Sequence, residues 1–283
     1  MSAEAPTLRH VRSGAVTLAV EDSGGDGRAI VLAHGLSATR RYVVHGSRLL
    51  ERSGYRVVSY DARGHGDSTA APDPAEYTYP VLVDDLRAVM DGLGIERAVL
   101  AGASMGAATT LMLALAEPER ASALIQITPA YRGADWQDER EHMRRWDELA
   151  DGLERDGVDG FMRAYGEPPV EPRFKGIVER AIRQRLERHR DPKAVAAALR
   201  VVVRSLPFES MDELERLSVP TLVVASRDEA DPEHPYEVAV EYAQRIPGAE
   251  LVSEEPGASP LAWRGSQLSR AMLEFLARHG LEP

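Results

Sequence analysis

Three observations predict an α/β architecture with a mostly parallel, doubly wound sheet for this chain of 283 residues. Short, predominantly apolar runs recur at Ala29 to Ala33, which is uninterrupted, and at Tyr55 to Tyr60, Arg97 to Ala101, Leu124 to Thr128 and Pro220 to Ala225. Runs without polar alternation are the mark of strands covered on both faces. Between them lie segments of helical spacing, so the pattern alternates strand and helix, and the sheet is built by right-handed crossovers. The third observation is one long interruption, from about Tyr131 to Leu217, in which no strand-like run occurs and charged helical segments replace it.

Composition narrows the function classes. A chain of this length buries a full core as one large domain, or as one domain carrying an insertion. The formal charge of −11, with no clustered basic face, argues against nucleic acid or an anionic membrane surface as partner and leaves a small molecule. Cysteine is absent, which excludes disulfides, thiolate metal sites and a cysteine nucleophile, and which fits a reducing compartment. Met1 to Gly14 holds no apolar core of signal-peptide length, and no later run approaches a membrane span, so the expectation is a cytoplasmic protein. No histidine and carboxylate pair has metal-ligand spacing and no Gly-x-Gly-x-x-Gly cradle is present, so neither a metal nor a nucleotide cofactor is expected.

In chain order, Thr7 to Asp22 alternates apolar and polar residues with a break near Ser13-Gly14, as an antiparallel hairpin does. The strand Ala29 to Ala33 ends at His34-Gly35-Leu36. Helical spacing from Arg40 to Arg52 is closed by Gly54, and the strand Tyr55 to Tyr60 follows. A glycine-punctuated loop, Asp61 to Ser68, leaves that strand and leads through a proline- and tyrosine-rich connector to an amphipathic helix, Val81 to Leu93. In the interruption, helices are expected at Asp135 to Arg155, Val158 to Tyr165, Arg173 to His189 and Lys193 to Ser205, a cap standing over the sheet. The chain then closes with a helix from Tyr236 to Arg245, a strand from Glu250 to Ser253 and a helix from Gln267 to His279. The domain boundaries that result are a core of residues 1–130 and 218–283 and an insertion of residues 131–217.

Chemistry concentrates at Gly102-Ala103-Ser104-Met105-Gly106, between an apolar strand and a helix-forming run that reaches Ala116. A turn this sharp, with chains packed close on both sides, leaves no room for a Cβ at either glycine. It holds a serine hydroxyl out at the sheet's edge, with the N–H of Met105 opening the next helix behind it.

His34-Gly35 after the third strand, Asp61 to Ser68 after the fourth and Gly102 to Gly106 after the fifth together resemble the α/β-hydrolase superfamily over almost the whole chain, and the insertion is similar to the helical cap of its lid-bearing members. The resemblance implies that Ser104 is the nucleophile and that the backbone N–H groups of Leu36 and Met105 form the oxyanion hole, at roughly 3–4 kcal/mol per donor. It places the triad acid after the strand ending at Ala225. There Asp228 best matches an Arg-x-Asp-Glu pattern, and Asp231, four residues before Pro235, is the alternative.

One position departs from that pattern. A serine hydroxyl needs a base within hydrogen-bond reach, normally a histidine after the last strand. Here that loop reads Glu254-Glu255-Pro256-Gly257-Ala258-Ser259-Pro260, with Ala258 where the resemblance implies histidine. Either another histidine supplies the base, with His234, His45 and His65 as candidates, or the pocket serves binding or a cyclisation, elimination or isomerisation, or the alanine was engineered. His142 and His189, set among arginines and glutamates, read as solvated. Trp136, Trp146, Phe161, Tyr165, Phe174 and Phe208 fall in or beside the insertion as its own small core or as a roof over the pocket, and Trp263 reads as a fastener of the last helix. The expected function is serine-nucleophile cleavage of a small apolar ester, thioester or lactone, weakened by the missing histidine. The alternative is a non-hydrolytic protein of the same fold.

Overall fold

The protein is described by a computed structural model covering residues 6–133, 140–227, 233–255, 263 and 265–283, with the backbone alone at residues 140 and 142. Asp228, Asp231, Ala258 and Trp136 lie outside the described residues. The strands are β1 (Thr7–Ser13), β2 (Val16–Asp22), β3 (Ala29–Ala33), β4 (Arg56–Tyr60), β5 (Ala98–Ala103), β6 (Ala121–Ile127), β7 (Thr221–Val224) and β8 (Glu250–Val252). They form one sheet in the order β1-β2-β4-β3-β5-β6-β7-β8. β1 and β2 make the hairpin read from the sequence, in register from Thr7↔Asp22 to Ser13↔Val16, and β2 meets β4 antiparallel. Every other pairing is parallel.

The strands are predominantly apolar along their length because both faces of the sheet are covered. On β3, Val31 and Ala33 face one core and Ile30 and Leu32 the other, all buried. The first core is closed by α2 (Tyr79–Gly92), α3 (Met105–Ala116) and α7 (Tyr236–Arg245) through Leu86, Met90, Leu111, Leu113 and Tyr242. The second is closed by α1 (Leu49–Arg52) and α8 (Gly265–Arg278) through Leu50, Leu268, Met272 and Phe275. Each such side chain stabilises the fold by about 1.5–3 kcal/mol relative to exposure.

Between β6 and β7 stand α4 (Arg140–Tyr165), α5 (Pro172–Leu186) and α6 (Pro192–Val201), with a separate apolar core of Leu149, Leu153, Phe161, Ile182, Leu186, Val195 and Leu199. α4 is broken at Asp156 and Gly157, the latter at φ 64°, where the sequence separates two helices. Its halves then cross so closely that a Cβ on Gly160 would lie 1.9 Å from the Gly152 carbonyl oxygen. Trp146 and Tyr165 pack on this core, whereas Phe208 belongs to the sheet's, edge-on to Tyr131 at 4.7 Å.

One expected helix is largely absent. Of residues 40–52 only Leu49–Arg52 is helical, and residues 40–46 are turn. The Arg40 N–H and guanidinium are both drawn onto the buried Asp61, and His45 and Gly46 adopt φ 48° and 73°, which no right-handed helix admits. Among the described residues no helix is long and apolar enough to cross a membrane.

Candidate active site

Ser104 sits between β5 and α3 at φ 51°, ψ −113° and is half-buried. A non-glycine residue at such a φ costs on the order of 1–3 kcal/mol and persists only where its surroundings over-determine it. They do so here. The Ser104 N–H donates to the Ile127 carbonyl at 3.0 Å, and a Cβ on Gly102 or Gly106 would lie 2.1 Å from a backbone oxygen, that of Gly106 or Ala33 respectively. Gly35 closes over the turn, its hypothetical Cβ 3.3 Å from both the Ser104 Cβ and the Ala103 carbonyl oxygen. Four non-glycine residues among those described have positive φ, and Ser37, Ser104 and Thr128 lie just beyond β3, β5 and β6. Strain is thus gathered on one edge of the sheet.

The loop after β3 is held by imidazoles. The His34 Nε2 accepts from the Ala62 N–H at 2.9 Å, so its proton is on Nδ1, which donates to the Gly35 carbonyl at 2.8 Å. That carbonyl also accepts from the Ala38 N–H at 3.0 Å. The Gly35–Leu36 peptide is trans, so the Leu36 N–H points away from these two donors. The His65 Nε2 takes the Ser37 N–H at 3.4 Å, leaving Nδ1–H for the Arg63 carbonyl at 2.9 Å. His189 takes the Gly66 N–H on Nδ1 at 2.9 Å and gives Nε2–H to the Ser37 carbonyl at 3.0 Å. The three rings lie in a row with centroids 5.2 and 5.4 Å apart. Burial holds all three imidazoles below their ordinary pKa, His65 far below and His189 at about 4, so they are neutral at pH 7.

Charge beneath the loop is paired. Asp61, fully buried, accepts from the N–H groups of Arg40 and Asp67 at 2.8 and 2.9 Å and from the Arg40 guanidinium. Its oxygens fill the space where Gly66 would carry a Cβ, which is why the loop needs glycine there. Arg63 and Asp85 form a buried bidentate pair at 2.7 and 2.8 Å.

The structure therefore brings Leu36, Ser104 and Met105 to one edge of the sheet, with Leu36 and Met105 packed in one cluster with Ala194 and Ala198 of α6. Asp228, Asp231 and Ala258 fall outside the described residues. In the sequence flanking them, Glu254 accepts from the Arg227 N–H at 2.6 Å and the Ser226 hydroxyl at 3.3 Å, and Trp263 donates to the Ala225 carbonyl at 2.7 Å, fastening the chain ahead of α8 to the end of β7. His65 is withdrawn as a base, since both ring nitrogens are committed. His45 lies in a turn and lines a surface cleft of about 250 Å³ with Thr39, Arg41, Tyr42, Gly46 and Arg188. His234 is half-buried ahead of α7. His189 overturns its reading as solvated: α5 ends at Leu186, so His189 belongs to the junction with α6 and is 8% exposed. The one local signal was the Asp191-Pro192 helix start two residues on, which marks residues 187–190 as a junction rather than a solvated helix face.

Comparison with known proteins agrees with this architecture. The family model described as alpha/beta hydrolase fold matches residues 28–174. A protein of Rhizobium rhizogenes, provisionally named carbamate hydrolase RutD, is 30% identical over 237 residues, 82% of this chain and 86% of that protein. A Bacillus subtilis protein, provisionally named 2-succinyl-6-hydroxy-2,4-cyclohexadiene-1-carboxylate synthase, is 30% identical over 58% of this chain, which spans only 60% of that protein's length. Among solved structures, a thermophilic esterase from Thermogutta terrifontis superposes with a TM-score of 0.78 at 27% identity, covering 98% of this chain and all of the other. An eight-stranded, mostly parallel sheet with a serine in a strained strand-to-helix turn, matched over more than half its length, makes this chain a member of the α/β-hydrolase fold family.

Proposed function

We propose that the protein cleaves a small, moderately apolar ester, thioester or lactone through Ser104. In this reading the hydroxyl attacks the substrate carbonyl, the Leu36 and Met105 N–H groups receive the oxyanion, and Asp228, with Asp231 as the alternative, orients whatever base is present. Residues 131–217 serve as the cap over the pocket. The observation that carries the reading is the strained Ser104 itself, held at φ 51° between glycines that admit no side chain, a cost that folding alone does not require. The likeness to an esterase and to a carbamate hydrolase supports attack at an acyl carbon. With alanine at position 258 turnover is weak, since removal of a triad member leaves only the rate supplied by binding and the oxyanion hole, roughly 10³-fold over water.

A fluorophosphonate probe followed by intact mass and peptide mapping tests this. Label on Ser104 at neutral pH supports an activated serine. No label on the folded protein, together with no gain in hydrolysis on Ala258→His, refutes it. The second reading, a non-hydrolytic reaction in the same pocket, is favoured by Ala258 and by the likeness to a carboxylate synthase, and that result would select it.

A further inference from the structure

At the junction of α5 and α6 the buried His189 meets the loops after β3 and β4, with hydrogen bonds to Ser37 and Gly66 that span 152 and 123 residues of sequence. Ser37, which receives one of them, is a non-glycine residue at φ 59° with both peptide groups engaged by imidazoles, its N–H by His65 and its carbonyl by His189. The next residue, Ala38, donates to the Gly35 carbonyl. Direction passes along this short chain of fixed groups. The His189 Nε2–H fixes the Ser37 carbonyl, and the Ser37–Ala38 peptide plane then aims the Ala38 N–H at Gly35. Peptide planarity turns the Leu36 N–H to the opposite side. The Leu36 side chain packs meanwhile against the insertion's own core.

We propose that His189 is a positioning residue for the oxyanion donor: the junction of α5 and α6 holds the Ser37 carbonyl and thereby aims the Leu36 N–H, so that the seating of the inserted helices and the readiness of the oxyanion hole are one event. This rests on the reading of Leu36 as an oxyanion donor. The neutral state of His189 supports it, because only a neutral ring both accepts from Gly66 and donates to Ser37.

Two substitutions separate the two bonds. In His189→Asn the side-chain carbonyl reaches where Nδ1 is and keeps Gly66, but nothing reaches Ser37. In His189→Gln the amide nitrogen reaches where Nε2 is and keeps Ser37, but Gly66 is released. The first readout is backbone amide hydrogen exchange on the free protein, which needs no turnover and so stands even if hydrolysis is never found. The second is kcat and KM on p-nitrophenyl acetate. The Asn variant is expected to speed exchange at Ala38, leave Gly66 protected and lower kcat about tenfold at unchanged KM, less than outright loss of an oxyanion donor. The Gln variant is expected to speed exchange at Gly66 alone and keep kcat within about twofold. Equal effects of both variants at Ala38, or no effect of either, overturn the proposal, and if only the Gln variant folds, loss of protection at Ala38 overturns it alone. If neither folds, native-state exchange of the unsubstituted protein decides: Ala38 must open with the amides of α5 and α6, and its opening with the sheet instead refutes the coupling. Absence of turnover with the expected exchange pattern would count against the hydrolase reading only.

Discussion

Beyond β3 and β4 the backbone is fixed by buried neutral imidazoles and a fully buried carboxylate, whereas beyond β7 and β8 it is fixed by the half-buried side chains of Glu254 and Trp263. The first set reaches Ser37, Ala62 and Gly66 from distant elements and holds residues in strained conformations. The second ties neighbouring strand ends together, helped by Arg227 lying 3.8 Å over the Tyr236 ring. Strain and long-range anchoring therefore go together. Among the described residues, the bonds of Glu254 and Trp263 run to Ser226, Arg227 and Ala225, whereas the Ser104 turn is bonded to Ile127 and packed against β3.

Four measurements sharpen or break this contrast. The largest effect is expected of Gly106→Ala, whose Cβ would meet the Ala33 carbonyl oxygen at 2.1 Å and carbon at 2.5 Å, both backbone. Destabilisation above about 4 kcal/mol, or no folded product, is expected in urea titrations, and a mild effect would show that β3 and α3 can separate freely. Next is Arg63→Met, which leaves Asp85 buried and unpaired, with an expected loss of about 3–5 kcal/mol.

The third concerns pH. His189 titrates at about 4 in the folded protein and at 6.5 unfolded, so the unfolded chain binds the proton first. Its contribution is fully present above pH 6.5 and is lost as pH falls toward 4, on the order of 3 kcal/mol for this residue, with His34 and His65 adding in the same direction. Denaturation midpoints at pH 7.5, 5.5 and 4.5 should fall steeply, and His189→Gln should flatten the slope. A flat profile in the unsubstituted protein would remove the buried stack from the argument.

The smallest effect is expected of Glu254→Ala, within about 1 kcal/mol. The substitution removes the bonds to Ser226 and Arg227, but it also relieves a buried Oε2 that has no partner among the described residues. A loss as large as that of Arg63→Met would make the two halves of the site equivalent.

What the sequence discloses follows the same division. The strands, the elbow glycines and His34-Gly35 are legible because local physics decides them: a doubly covered strand must be apolar throughout, and a turn without room for Cβ must be glycine. The burial of His189 is not, because the partner that draws it in lies 152 residues away. The helix expected over residues 40–52 fails for the same reason, since its spacing is helical but Asp61 captures Arg40 across the fold.

The hairpin that begins the sheet has a consequence for assembly. β1 is an edge strand exposed along most of its length, the kind of edge that invites pairing with another chain. It carries Arg9, His10 and Arg12 in close succession, Arg9 paired with Asp22 of β2 at 3.3 Å, and charged side chains along an edge disfavour its pairing with another strand. At the far edge, β8 spans only three residues, with Arg278 and His279 on Glu250. Charge along one edge of the sheet and brevity at the other both disfavour its growth by strand addition.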